Sequence, residues 1–320
     1  GNPKVYVTCP FHNHLIVIDC ATHTYDDYPL PGWQWTPTDI VYNKTQDAVY
    51  CCAFNIFNEG KIFKIVGLNQ PPDKEYAVGN GPSHVIWTPS PLTQTGKIYC
   101  ACRDNPSVFR INCDDDNVLE ITGADYFQFA MTYNRTNNKI YVASRQTNPA
   151  TVYIIDGYFD IMHGTATVEA NPYDLAWNET NNMIYCSNNQ SFSLTKIHGD
   201  DNETERISLP DGNPWGLAWN AYQNKYYCGM LPGPLCVLNG DNDQILAKVA
   251  VQRYVGSRLL WNPQNDKVYC GSSQSVDESF DGYFSIIDGL SNQHLKEFNL
   301  GYLEFAEYLT YDPTMNRVYS

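Results

Sequence analysis

No stretch of the sequence approaches the roughly 18 consecutive apolar residues that a membrane helix needs, so no helical insertion into a bilayer is expected. Positive charge is also scarce. Twenty Lys and Arg stand against 35 Asp and Glu, a formal charge of −15, and such a field repels a phosphate backbone, so nucleic acid is not an expected partner. There is no CxxC, and neither Cys51 and Cys52 nor Cys100 and Cys102 bring the companion ligands of a zinc site. The seven histidines, His12, His14, His23, His84, His163, His198 and His294, fall at different repeat positions. They assemble into no metal-binding ring, and neither a metal nor a cofactor is expected. Gly1 opens directly on strand-like residues without a signal-peptide pattern, which leaves the export history open. Helical periodicity is missing throughout.

What the chain does have is a repeat. Pro172 to Cys186 reads PYDLAWNETNNMIYC, Pro37 to Cys51 reads PTDIVYNKTQDAVYC, and Pro214 to Cys228 reads PWGLAWNAYQNKYYC. Tyr6, Tyr50, Tyr99, Tyr141, Tyr185, Tyr227, Tyr269 and Tyr319 form one column, at intervals of 44, 49, 42, 44, 42, 42 and 50 residues, a period that suits a four-stranded blade. Within it, β-branched and aromatic runs alternate with Gly, Pro, Asn and Asp turns, which predicts four short strands, A to D. In strand A the large apolar residues Ile40, Val85, Met131, Leu175, Leu217, Leu259 and Leu309 lie two positions before an aromatic column that includes Tyr42, Trp177 and Trp219. Period 2 puts both columns on one buried face. Cys51, Cys100, Cys186, Cys228 and Cys270 follow the repeat Tyr directly, where other copies carry Val7 and Val142, as expected of a free thiol used as a compact apolar group.

Asn138-Lys139-Ile140-Tyr141-Val142 and the run Val152 to Gly157 (VYIIDG) resemble the YVTN family of β-propeller repeats, a likeness that covers the whole chain. It differs in the frequent Cys after Tyr. The resemblance implies a ring of four-stranded blades, often seven, and a role in binding or display, as in surface-layer-like proteins; it brings no catalytic residues. The expected fold class is therefore all-β, a seven-bladed β-propeller of four-stranded antiparallel blades forming one domain over residues 1–320. The strands of Lys4 to Leu30 are expected to pair with the last strand A, Tyr308 to Asp312, and so close the ring. The final Asn316 to Ser320 is then surplus, or the start of further repeats in a longer chain.

In such a ring the D-to-A and B-to-C loops gather on one face around the channel. Trp33, Trp35, Tyr126, Tyr173, Trp215 and Glu307 come from these loops, while Asp39, His84, Asp174 and Arg258 open strand A. Aromatic faces with polar groups between them suit carbohydrate or peptide recognition, although packing onto neighbouring blades explains the same rings. Acid, base and anion clamp are all present at the mouth, so an enzyme needs only a His with a carboxylate, or two carboxylates, within about 6 Å of each other. The clusters Asp114-Asp115-Asp116, Asp200-Asp201 and Asp241-Asn242-Asp243 offer oxygens to calcium, but recurring at one repeat position they read better as Asx turns. Sequons at Asn43, Asn134, Asn178, Asn189 and Asn202 are glycosylation candidates, the first three in equivalent A-to-B turns. The leading expectation is a non-enzymatic binding or scaffold module of a cell-surface or extracellular protein, recognising a carbohydrate or protein partner on the channel face. The alternatives are an enzyme or enzyme subunit acting on a sugar polymer there, and a self-associating structural repeat of a filament or surface layer.

Overall fold

The computed structural model of the chain describes residues 4–9, 13–22, 24–32, 34–67, 72–146, 148–251, 254–276, 279–302, 309–312 and 316–319. Among them every regular element is a strand. A three-stranded sheet holds β1 (Lys4–Cys9), β2 (His14–Asp19) and β3 (Tyr25–Pro29). Four-stranded sheets follow: β4 (Thr36–Asn43), β5 (Ala48–Phe54), β6 (Gly60–Val66) and β7 (Lys74–Val78); then β8 (Pro82–Thr88), β9 (Lys97–Cys102), β10 (Ser107–Asn112) and β11 (Val118–Thr122). The next two are β12 (Gln128–Asn134), β13 (Lys139–Ser144), β14 (Ala150–Asp156) and β15 (Ile161–Val168), and β16 (Pro172–Asn178), β17 (Met183–Asn188), β18 (Ser193–His198) and β19 (Thr204–Ser208). The last two are β20 (Asn213–Asn220), β21 (Lys225–Leu231), β22 (Leu235–Asn239) and β23 (Ile245–Val249), and β24 (Tyr254–Asn262), β25 (Lys267–Val276), β26 (Ser279–Asp288) and β27 (His294–Tyr302). Finally β28 (Thr310–Asp312) pairs with β29 (Arg317–Tyr319), Tyr311 opposite Val318. The expected pairing of the Lys4 to Leu30 strands with the last strand A is thus replaced among the described residues: β1 pairs with β2, and the segment expected to be surplus takes the strand B place beside β28, as the short hairpin favours. The fold class is a seven-bladed β-propeller with antiparallel blades. By packing, the chain divides into two compact units, residues 1–147 with 151–165, and 148–150 with 166–320.

Strand B is buried on both faces. In β5, β9, β13, β17 and β21 the buried residues run continuously; β9, for example, packs against β5 on one side and β13 on the other, whereas outer strands such as β3 and β11 are mostly exposed. Period 2 divides the work. Tyr50 shares a core cluster with Cys100 of the next sheet, Tyr99 with Val142, Tyr185 with Cys228, and Tyr227 with Cys270. The repeat Tyr therefore looks forward and the residue after it looks back. A large ring opposite a small side chain fills the gap between sheets, which is why Cys alternates with Val there. Cys51, Cys100, Cys186, Cys228 and Cys270 are all fully buried.

The A-to-B turns supply a second set of ties. Asp47, Asn138, Asn182, Asn224 and Asp266 each adopt a left-handed backbone there, with φ between 46° and 56°. Tyr42 Oη donates to Asp47 Oδ1 at 2.8 Å, Tyr133 Oη to Asn138 Oδ1 at 2.8 Å, and Trp261 Nε1 to Asp266 Oδ1 at 3.0 Å. Tyr and Trp bring both a large apolar face and a donor edge, which accounts for their hold on this strand A column. The face is less covered than its period implies: Tyr42 is 53% exposed, its phenol reaching out to the turn. Next in sequence stands an asparagine that joins sheets. Asn178 Nδ2 donates to Asn224 Oδ1, Asn220 Nδ2 to Asp266 Oδ1 and Asn262 Nδ2 to Asn316 Oδ1, at 2.7 to 2.8 Å, while its own Oδ1 accepts the N–H two residues on. The glycine after strand C closes the assembly, with Gly199 N–H on Asn182 O, Gly240 N–H on Asn224 O and Gly289 N–H on Asp266 O.

Glycine is required there by close approach. A Cβ on Gly240 would lie 2.6 Å from Asn224 O, so Gly240→Ala is expected to destabilise the protein by about 1–3 kcal/mol, read as a fall in the denaturation midpoint. Alkaline titration tests the tyrosine column. Burial, before any charge nearby, holds the phenols of Tyr50, Tyr99, Tyr185, Tyr226 and Tyr227 well above their ordinary value of 10.0. A raised folded-state pKa gives stability that is complete below pH 10 and is lost as the pH climbs towards the folded value. Above about pH 10 the phenolate absorbance of these buried rings should rise in step with the loss of the far-ultraviolet circular dichroism; ionisation near pH 10 with the fold intact would contradict their burial.

Candidate functional site

The entrance to strand A is irregular in every complete sheet. Pairing with strand B slips between Pro37 and Asp39, Pro82 and His84, Gln128 and Ala130, Pro172 and Asp174, Pro214 and Leu217, and Val255 and Leu259. A bulge turns its side chain out of the ladder, and here several of these residues reach the neighbouring sheet. Thr38 Oγ1 donates to Pro82 O and Ser83 Oγ to Gln128 O, both at 2.8 Å. Tyr173 and Trp215 hold the same place with rings 4.6 Å apart and tilted by 31°. Two of the expected ligand residues thus stack on each other across a seam, half-buried.

Asp39 and His84 do come together. His84 Nδ1 lies 2.8 Å from Asp39 Oδ2, and both side chains are about 85% covered, with exposures of 15% and 14%. This is the His-with-carboxylate arrangement that an enzyme would need. The same oxygen, however, accepts the Val85 N–H at 2.9 Å, and His84 Nδ1 makes no well-directed hydrogen bond. Asp174 repeats the bond without a histidine: its Oδ2 accepts Leu217 N–H at 2.9 Å, and Gly216 stands where His84 does. The aspartate's recurrent work is to clasp the next strand A.

Trp35 is half-buried and meets Phe63 of its own sheet edge-on, centroids 5.4 Å apart, with Lys61 Nζ 4.9 Å above its ring. Tyr126 does face solvent, 44% exposed, and beside it Phe127 is 47% exposed. Trp33 and Glu307 lie outside the described residues, as does the side chain of Arg258. Further exposed apolar side chains stand on B-to-C loops, Ile56 at 72%, Phe57 at 71% and Phe192 at 48%. Sequence reasoning missed these. Their one signal is a bulky apolar residue inside an Asn-bounded turn, where no strand period gives it a partner.

A belt of backbone bonds ties these loops in the first unit. Gly81 N–H donates to Asn58 O at 3.2 Å, Arg103 N–H to Gly81 O at 2.7 Å, Phe127 N–H to Arg103 O at 2.6 Å, and Arg145 N–H to Phe127 O at 3.1 Å. Asp104 accepts from Asn58 Nδ2 at 3.0 Å and from the Arg103 guanidinium. Its burial raises the carboxyl pKa, but Arg103 and Asn58 outweigh that and hold it below the usual carboxylate value.

Two of the three acidic clusters, Asp114 to Asp116 and Asp241 to Asp243, prove to be turns with a latch, and in the third Asp201 accepts the Glu203 N–H within its own turn. Asp116 and Asp243 take left-handed φ values of 60° and 61°. Asp116 accepts Tyr76 Oη at 2.5 Å and Lys74 Nζ at 2.6 Å, and Asp243 accepts Tyr185 Oη at 2.8 Å and Lys196 Nζ at 2.7 Å. Asp160 does the same with Tyr99 Oη and Lys97 Nζ. Among the described residues no group of three or more His, Cys, Asp and Glu is placed to hold a metal ion. The sequons need a larger correction. Asn43, Asn134 and Asn178 are fully buried; Asn43 Nδ2 donates to Thr95 O at 3.0 Å and Asn178 Nδ2 to Asn224. A glycan has no room at an amide that caps a turn and joins two sheets. Asn189 and Asn202 are half-buried.

No family model matches the chain, and no curated protein matches it. Among solved structures it resembles the hydrazine synthase of Kuenenia stuttgartiensis, at 14% identity and a TM-score of 0.66 over 93% of this chain and 92% of that one. At that identity the likeness speaks for the fold alone.

The clasp reading of Asp39 makes a paired prediction. Asp39→Ala and Asp174→Ala each remove an acceptor from a covered N–H and should each lower stability by about 1–3 kcal/mol, measured by chemical denaturation. A loss at Asp174 with none at Asp39 would separate the two and return Asp39 to the list of chemically active groups.

Proposed function

We propose that the chain is a non-enzymatic binding or scaffold module of a cell-surface or extracellular protein, a propeller of the YVTN kind that recognises a carbohydrate or protein partner through its D-to-A and B-to-C loops. The observation that carries this reading is the exposure of Phe57, Tyr126 and Phe127 on loops whose backbone is tied from sheet to sheet. Apolar side chains held out on a rigid support suit recognition, because little conformational freedom is left to lose on binding. An acidic surface disfavours anionic partners.

One observation favours a second reading, in which the covered His84 and Asp39 pair performs acid–base work on a sugar polymer; the hydrazine synthase likeness is compatible with an enzyme subunit on this fold. Against it stands the recurrence of the Asp39 bond at Asp174, opposite a glycine.

The test screens the intact chain on a glycan array and against the purified surface proteins of its source. It compares wild type with a Phe57→Ala/Tyr126→Ala/Phe127→Ala variant and with an outer-strand control, Leu119→Ala/Leu246→Ala. Binding at least tenfold weaker in the loop variant and unchanged in the control is the expected result. Binding lost only in the control would move recognition to the rim. Hydrolysis or cleavage of a polysaccharide by the wild type, abolished in His84→Gln, would replace the proposal with the enzymatic reading.

A further inference from the structure

Left-handed backbone among the described non-glycine residues is almost entirely the business of Asn and Asp, which fill fourteen of the sixteen such positions; the other two are Phe127, φ 57°, and Phe192, φ 49°. The place of Phe127 is taken by Gly81 (φ 59°) and Asn171 (φ 57°) in the sheets before and after it. The backbone task is the same at all three. Each carbonyl accepts the N–H of the residue that follows strand B: Arg103 on Gly81, Arg145 on Phe127 and Asn189 on Asn171, at 2.7, 3.1 and 2.9 Å. A bulky residue is strained in this region, so conformation does not select Phe. Nor does the core, since the ring is 47% exposed.

The neighbouring groups complete a platform. Tyr126, 44% exposed, precedes Phe127. The backbone of the pair is fully engaged: Tyr126 N–H donates to Gln146 Oε1 at 3.0 Å, Tyr126 O accepts Ser144 Oγ at 2.7 Å, and Phe127 N–H and O meet Arg103 and Arg145. Charges beside it are already occupied. Asp125 accepts Tyr153 Oη at 2.6 Å, and the Arg145 guanidinium lies 3.7 Å over the Phe129 ring. The exposed Gln146, whose Oε1 accepts the Tyr126 N–H, carries beside the pair an amide that is a donor as well as an acceptor. Two rigid aromatic faces beside a neutral amide on an acidic protein match a neutral sugar: C–H faces lie on the rings, and hydroxyls bond to the amide and to the Tyr126 phenol.

We infer that Tyr126 and Phe127, with Gln146, form the binding platform for a neutral oligosaccharide. This deepens the recognition reading above and rests on it.

Calorimetric titration of the intact chain with cellohexaose, xylohexaose, chitohexaose and, as an anionic control, hexagalacturonate tests the assignment. At least one neutral hexaose is expected to bind and the anionic one not. Tyr126→Ala and Phe127→Gly should each weaken binding tenfold or more, and Gln146→Ala severalfold. Phe127→Gly should also raise the thermal midpoint, because it relieves the left-handed strain; a packing role for Phe127 predicts a fall instead and would overturn the inference. So would neutral-sugar binding undiminished in the Tyr126 and Phe127 variants, or preference for the anionic hexaose. Binding of a surface protein through the loops with no sugar bound overturns this assignment and leaves the recognition reading standing, whereas the absence of every ligand removes both.

Discussion

The structure depends most on one small device, a left-handed Asn or Asp in the A-to-B turn of five of the six four-stranded sheets, Gly96 taking that place between β8 and β9. At Asn224 a single side-chain oxygen accepts the indole edge of Trp219 from its own strand and the amide of Asn178 from the sheet before, while the main-chain carbonyl accepts the N–H of Gly240. Strand, turn, next strand and preceding sheet all converge on one residue. Asp266 holds the same position between Trp261, Asn220 and Gly289. Such a hub needs a residue that tolerates positive φ and accepts several bonds at once, which only Asn and Asp combine.

Much of this was legible in the sequence. The Tyr column, the small residue after it and the glycine after strand C were visible because packing between identical neighbours forces identical spacing. Three things were not. The bulges at Thr38, Ser83 and Tyr173 break the period of two on which strand reading relies. Asn43, Asn134 and Asn178 show a sequon whatever their amide is doing, and only coordinates reveal that Asn178 is spent on Asn224. The aromatic loop residues were hardest to sort, because Trp35, Trp215 and Tyr126 look alike in composition. Trp35 meets Phe63, Trp215 meets Tyr173, and Tyr126 meets solvent.

That sorting also separates support from display. Aspartates at strand entrances and C-to-D turns, which in isolation invite catalytic or calcium readings, are taken up by neighbours: Asp39 by Val85, Asp174 by Leu217, Asp160 by Lys97 and Tyr99. These carboxylates are thus satisfied locally, leaving the loops at Phe57 and Phe127 to vary without disturbing the sheets beneath.

The forward-looking Tyr and backward-looking Cys or Val give the four seams at Tyr50, Tyr99, Tyr185 and Tyr227 a direction. Each contact is head-to-tail, so a sheet fits its successor by one surface and its predecessor by another, and turning one around would set ring against ring. Two consequences follow for how such a chain changes over generations. Whole repeats can be duplicated in tandem with their mating surfaces intact, and a bulkier residue at position 100 or 228 demands a smaller one at Tyr50 or Tyr185 across the seam, so substitutions should travel in pairs roughly one repeat apart.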